Sequence, residues 1–242
     1  MTPVGTLVLV RHGQASSLTV GDYDNLSPLG IRQSRLLGDH WAARRRQFDH
    51  VYVGPRKRHA QTHAEVVAAY AAYDLSLPDP QPLAALDEHH GMLVVREAIP
   101  ELARKDAELA AMVEGIARGD AGGGEFLRVF RRVMRAWADG AVAEREDGPE
   151  SFRAFRERVR EGVRTMVAEA EQGQRIVAFT SGGAMAAAVC DALGVDDARA
   201  MDLSFAIRNA ALCELRYSGA RVSLSVFNAT PHLDDDALLS MV

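Results

Sequence analysis

Three short stretches of the sequence gather residue types able to hold and react with an anion: Arg11-His12-Gly13-Gln14, Gly54-Pro55-Arg56-Lys57-Arg58-His59 and Thr180-Ser181-Gly182-Gly183. Together they offer a histidine that can act as nucleophile or base, several guanidinium forks, and glycine amides at the start of a helix. Guanidinium matches phosphate oxygens bidentately, and fixed amides need no reorganisation as charge develops, so the set suits a phosphoryl group. The amides of Gly182 and Gly183 gain further from a helix dipole behind them.

Each stretch must be placed by the element before it. Thr6 to Val10 is a continuous apolar run rich in β-branched residues, the pattern of a strand buried on both faces. It leads directly into Arg11 and His12. Phe48 to Val53 is a second strand candidate, closed by Gly54-Pro55, with a helix from Arg58 towards Ala72. Arg175 to Thr180 is a third, followed by an alanine-rich helix ending near Gly194. Ser27-Pro28 reads as an N-cap and first-turn proline, opening a helix that carries Leu29, Leu36, Leu37 and Trp41. Pro78 to Pro82 is a stiff connector, and Leu83 to Leu86 is expected to be a short strand after it.

Residues 97 to 146 are helical in pattern, alanine-rich and broken by three glycines. They are expected to form an insertion over the pocket mouth rather than a second domain. Pro149-Glu150-Ser151 starts a helix whose Phe152, Phe155, Val159, Val163, Met166 and Val167 form one apolar stripe. Ala211 to Tyr217 and Arg221 to Phe227 alternate about Ser218-Gly219 as a β-hairpin. The whole predicts a single domain over residues 1–242: an α/β three-layer sandwich with a mostly parallel central sheet and an antiparallel edge. In such sheets ligands bind beyond the carboxyl ends of the strands, where the first and third stretches fall.

Composition narrows the function classes. Of 242 residues, 48% are hydrophobic and 25% charged, ordinary globular values. The formal net charge of −5 gives no broad reason to bind nucleic acid or an anionic membrane. Cys190 and Cys213 cannot make a disulfide framework and are expected to be small core residues. With no apolar run long enough to span a bilayer and no leader pattern, a cytoplasmic location is expected. His59 and His63 stand four apart, and Glu88-His89-His90 lies elsewhere. Nothing in the spacing makes them a metal site, so no metal or other cofactor is expected.

The ordered motifs Arg11-His12-Gly13-Gln14, Leu26-Ser27-Pro28-Leu29-Gly30 with Gln33, Arg58 with Gln61-Thr62, Leu86-Asp87-Glu88, Val177 to Gly183, and Asn209-Ala210 resemble the histidine phosphatase superfamily, the phosphoglycerate mutase-like proteins. The resemblance runs along nearly the whole chain. It implies a nucleophilic His12 that forms a phosphohistidine, its other ring nitrogen fixed by a backbone carbonyl. Arg11 and Arg58 would clamp the phosphoryl oxygens, and Glu88 would be the general acid and base. Gln14, Ser181 and Gly182 would add phosphate contacts. The implied partner is a small phosphorylated substrate or inorganic phosphate.

One position departs from the pattern. Where the family carries its second histidine, this chain has Ser181, which cannot supply an imidazolium. His59 or His89 is the candidate replacement, and restoring histidine at 181 is expected to raise the rate. Phosphate monoester hydrolysis is the first reading. A mutase is the alternative within the class, disfavoured by Ser17 and Leu18 where mutases carry an asparagine. A phospholigand-binding protein without turnover is the alternative outside it. The C-terminal hairpin offers an edge on which a second copy could pair.

Overall fold

The computed structural model describes residues 4–16, 24–120, 122–145 and 147–241. Ser17 and Leu18, which bear on the mutase alternative, lie outside the described residues. Six strands form one sheet in the order β3-β2-β4-β1-β5-β6: β1 (Gly5–Arg11), β2 (His50–Val53), β3 (Pro80–Pro82), β4 (Arg175–Thr180), β5 (Leu212–Ser218) and β6 (Arg221–Ala229). β1, β2, β3 and β4 run parallel, and β5 pairs antiparallel with β1 and with β6. The expected mixed α/β sheet is the one observed.

Alternation along β1 explains the layers. Leu7 and Leu9 face one buried cluster, while Val8 and Val10 face another. The second cluster lies under α1 (Pro28–Ala42) and α2 (Lys57–Ala71), through Leu37, Trp41, Val66 and Tyr70. Ser27 caps α1 by accepting from Gly30 N–H at 3.1 Å, with Pro28 in its first turn.

The first cluster lies under α6 (Phe152–Glu169) and α7 (Gly182–Leu193), and α8 (Asp197–Ala206) joins it through Ala200 and Met201. The same cluster takes in α3 (Gly91–Lys105), α4 (Ala107–Arg118) and α5 (Gly123–Ala138) through Val94, Leu109, Val133 and Trp137. These three helices therefore share the core of the sheet. Their block begins at Gly91, six residues before the predicted start at Glu97. Cys190 and Cys213 are both buried and unlinked, as expected of core residues.

One local expectation is corrected. The strand predicted at Leu83 to Leu86 lies earlier, at Pro80–Pro82, and Ala84–Leu86 is a short 3-10 turn. Prolines suit a strand at the edge of a sheet, where one side needs no N–H donors, so a segment that reads as a connector can still pair.

Candidate active site

β1 and β4 are adjacent and parallel, with Arg11 in register with Thr180. Their carboxyl ends therefore deliver His12 and Ser181 side by side, and His12 N–H donates to Thr180 O at 2.9 Å. The turn after His12 is held by other motif residues. Gly13 N–H donates to Thr62 Oγ1 at 3.1 Å, and Gln14 N–H donates to Gln33 Oε1 at 2.8 Å. Gly13 must be glycine, because a Cβ there would lie 2.3 Å from Gly30 O. Ala210, at φ 56°, turns its N–H back to His12 O at 3.1 Å.

His12 is 4% exposed, and both its ring nitrogens are engaged. Nδ1 lies 2.7 Å from Gly13 O, which requires a proton on that nitrogen. Nε2 therefore carries a lone pair, and Arg58 Nε donates to it at 3.1 Å. Burial, with the Arg11 and Arg58 guanidiniums, holds the His12 pKa well below its ordinary value against the opposing pull of Gly13 O. The ring is neutral at physiological pH. Arg58 is fixed from its far side by Asp24 Oδ1 at 2.8 Å. Arg11, 3% exposed, donates to Ile207 O, with its guanidinium close to the Gly182 turn.

Glu88 enters from the loop after the 3-10 turn. Gly183 N–H donates to its Oε2 at 3.0 Å, and His89 N–H donates to its Oε1 at 3.0 Å. Burial pushes the Glu88 pKa up, but His89, the Gly183 amide and Arg58 more than offset it, leaving the pKa below the usual carboxylate range. The loop is braced by Arg56, which bonds Asp87 Oδ2 at 3.2 Å, and by Arg158 on the Ala85 and Asp87 carbonyls.

Arg11, His12, Arg58, Glu88, Gly182 and Gly183 line one cavity of about 460 Å³. Two expected phosphate contacts are placed elsewhere. The Gln14 side chain turns to the α1 cap, accepting from Ser27 Oγ at 2.8 Å, and is absent from the cavity lining. Ser181 is fully buried, its Oγ 2.6 Å from His59 Nε2, and it too lies behind the lining.

The candidate replacements for the missing imidazolium also resolve. His59 is fully buried, and burial followed by the Arg58 charge pushes its pKa down to about 3. It is a neutral ring and adds no positive charge. His89 lines the cavity with Nε2 3.5 Å from Glu88 Oε1, its ring held edge-on by Trp137 and Phe155. His59 and His63 do not converge, since His63 packs edge-on against Phe179. Among the described residues, no group of three or more His, Cys, Asp or Glu side chains could hold a metal ion. No helix there is long and apolar enough to cross a membrane.

The helical segment expected over the pocket mouth does form part of the cavity wall, but sequence reasoning did not name the lining residues, which include Met92, Leu93, Phe126, Leu127, Phe130 and Phe205. The available signal was the i, i+4 pair of Phe126 and Phe130, which reads equally well as core packing.

Fold and site define a class: an α/β protein whose cavity, at the carboxyl ends of neighbouring parallel strands, is centred on a neutral histidine between two arginines. The family model of the histidine phosphatase superfamily (branch 1) matches residues 7–148 and 116–230, and the chain belongs to that family. No curated protein sequence matches the chain.

Among solved structures, the chain is similar to phosphoglycerate mutase from Bacillus anthracis, at 17% identity and TM-score 0.62, with 96% of each chain covered. It is similar to a mycobacterial glucosyl-3-phosphoglycerate phosphatase, at 22% identity and TM-score 0.59, covering 93% of this chain and 99% of that one. It is also similar to a phosphoserine phosphatase from Entamoeba histolytica solved with phosphoserine, at 15% identity and TM-score 0.63, covering 95% and 99%. At these identities the likeness establishes the shared fold.

Proposed function

We propose that the protein hydrolyses phosphate monoesters through a phosphohistidine at His12. The observation that carries this reading is the pairing of His12: Nδ1 is committed to Gly13 O, and Nε2 presents its lone pair beside Arg58. In the first step Arg58 Nε–H turns from Nε2 to a phosphoryl oxygen, the freed lone pair attacks phosphorus, and the P–O ester bond breaks. Arg11 and Arg58 offset the charge on the equatorial oxygens, and Glu88 gives its proton to the leaving alkoxide. In the second step water attacks phosphorus, Glu88 takes its proton, the P–N bond breaks, and His12 returns neutral. Proton transfer of this kind contributes about 10²–10⁴-fold.

The Glu88 carboxyl is ionised in the free site, because its pKa is lowered there. A phosphate dianion entering beside it favours the protonated form, so the substrate itself readies the acid. No step needs a metal, and a small phosphorylated molecule is the partner.

The test uses 4-nitrophenyl phosphate with no added metal. Phosphate release is expected, unchanged by a chelator and abolished in His12→Ala. Phosphoryl label trapped on His12 should be acid-labile and base-stable. Phosphate binding without release or label would leave a phospholigand-binding protein instead.

A further inference from the structure

The cavity extends well past its phosphate end, and its two sides differ in chemistry. The side formed by the strand ends carries the arginines, His12 and Glu88. The side formed by α3, α5 and α8 presents Met92, Leu93, Phe126, Leu127, Phe130 and Phe205. The aromatic rings form a connected wall: Phe130 meets Phe205 edge-on at 6.1 Å, and Phe126 lies near-parallel to Phe130 at 6.4 Å. The Phe130 ring tip reaches Gly91, where an added Cβ would sit 3.0 Å from Cζ. Met92 is 50% exposed and Phe126 38% exposed, so two large apolar side chains stand open to this space.

Most of the polar groups on the same lining are already engaged, His89 Nδ1 and the exposed His90 ring being the exceptions. Arg56 is held by Asp87, His89 faces Glu88, and Ser204 Oγ donates to Met201 O at 2.6 Å. A leaving group rich in hydroxyls would give up water here and find few replacements, which is costly. An alkyl chain or ring would cover exposed apolar surface. Pockets of a few hundred Å³ with apolar walls and a few convergent polar groups bind small, largely hydrophobic molecules.

We propose that the substrates are phosphate monoesters of hydrophobic alcohols or phenols, the chain or ring packing on the Phe126–Phe130–Phe205 wall while the phosphate meets Arg11, His12 and Arg58. This rests on the phosphatase reading of His12. On this assignment sugar phosphates and phosphoglycerates are the poorer substrates.

The test separates the two claims. Across methyl, butyl and hexyl phosphate the alcohols barely differ in acidity, so packing alone changes along the series. kcat/KM should rise about fourfold per methylene until the wall is covered. Glycerol phosphate and glucose 6-phosphate should fall at least 100-fold below hexyl phosphate. Phe126→Ala and Met92→Ala, at exposed positions that leave the core intact, should each lower the hexyl-to-methyl ratio at least threefold. Binding is read separately by calorimetry on the wild-type protein, where hexylphosphonate should bind at least tenfold tighter than methylphosphonate. A flat alkyl series with normal turnover overturns this assignment and leaves the phosphatase reading standing. Tight hexylphosphonate binding without turnover of any ester overturns the phosphatase reading and leaves the apolar specificity standing.

Discussion

His59 Nε2 lies 2.6 Å from Ser181 Oγ, and both side chains are fully buried. Position 181 is where the family resemblance expects an imidazole. Here the imidazole arrives from α2 and meets a serine at the head of α7, so a ring still fills this part of the site. It is neutral and sits one layer back from the cavity. The serine is thus half of a packed pair.

This pairing reverses the outcome expected from sequence for Ser181→His. A second imidazole at 181 would collide with His59, so the single substitution should lower both activity and thermal stability. Ser181→His combined with His59→Ala removes the obstruction and should recover at least tenfold of the kcat lost. A double-mutant cycle on kcat and Tm measures the coupling, and additive effects would show that the two positions are independent.

Arg58 does more than carry charge. Its Nε reaches His12 while a second nitrogen is held by Asp24, a geometry that needs the guanidinium fork. Arg58→Lys should reduce kcat about 10²-fold, comparable to losing one transition-state donor. The change should appear in kcat more than in KM, and an equal effect on both would point to ground-state binding alone.

Removing the Arg58 charge should also move the pH profile. Arg58 is among the groups that hold the His12 pKa down, so Arg58→Gln raises it. The nucleophile must be neutral, so a higher pKa shifts the acid limb of kcat/KM to higher pH. Comparing the variant with wild type on one substrate cancels the phosphate's own titration, and a shift to lower pH would contradict the assignment of His12.

Folding stability should fall in mild acid. His59 has its pKa depressed to about 3 in the folded protein, while the unfolded chain keeps the ordinary value near 6.5. Between those values the unfolded chain binds the extra proton, so stability is fully present above about pH 6.5 and declines as pH falls towards 3. Urea unfolding from pH 7 to 4 should show this slope, and His59→Gln, which cannot titrate, should reduce it, leaving the part contributed by other depressed histidines, His12 and His232 among them.

Gly183→Ala isolates Glu88. A Cβ at 183 would sit 2.1 Å from Glu88 Oε1, so the carboxylate must move and loses the amide that orients it. Turnover should drop at least tenfold while the Kd for inorganic phosphate changes little. A matched loss of phosphate affinity would mean that the helix terminus, rather than Glu88, was disturbed.

The strand ends were legible because β1 and β4 are unbroken apolar runs that stop abruptly at polar residues, and buried parallel strands leave that trace. Ser27 and Pro28 announced α1 through local capping chemistry. Gln14 reads as a phosphate contact because its backbone position carries it to the site, whereas its side chain serves the α1 cap, a choice between two nearby partners. The His59–Ser181 pair joins the start of α2, on one face of the sheet, to the head of α7, on the other, across the end of β4 and 122 residues apart in sequence, and no local pattern encodes that. The aromatic wall was hidden because Phe126 and Phe130 have the spacing of core residues. Only the placement of α5 over the strand ends distinguishes a cavity lining from a packed interior.

The loop that follows His12 is fastened from a great distance. Gln33 holds Gln14 N–H with its carbonyl and donates through its amide to Leu238 O at 2.7 Å and Ser240 Oγ at 3.0 Å, while Asn209 N–H donates to Ser240 O at 2.9 Å. A nascent chain that has reached the end of β6 already contains every residue of the cavity lining, yet lacks the clasp that steadies its first turn. Competence to bind a substrate should therefore wait until Leu238 and Ser240 have been made, rather than growing with each helix that forms.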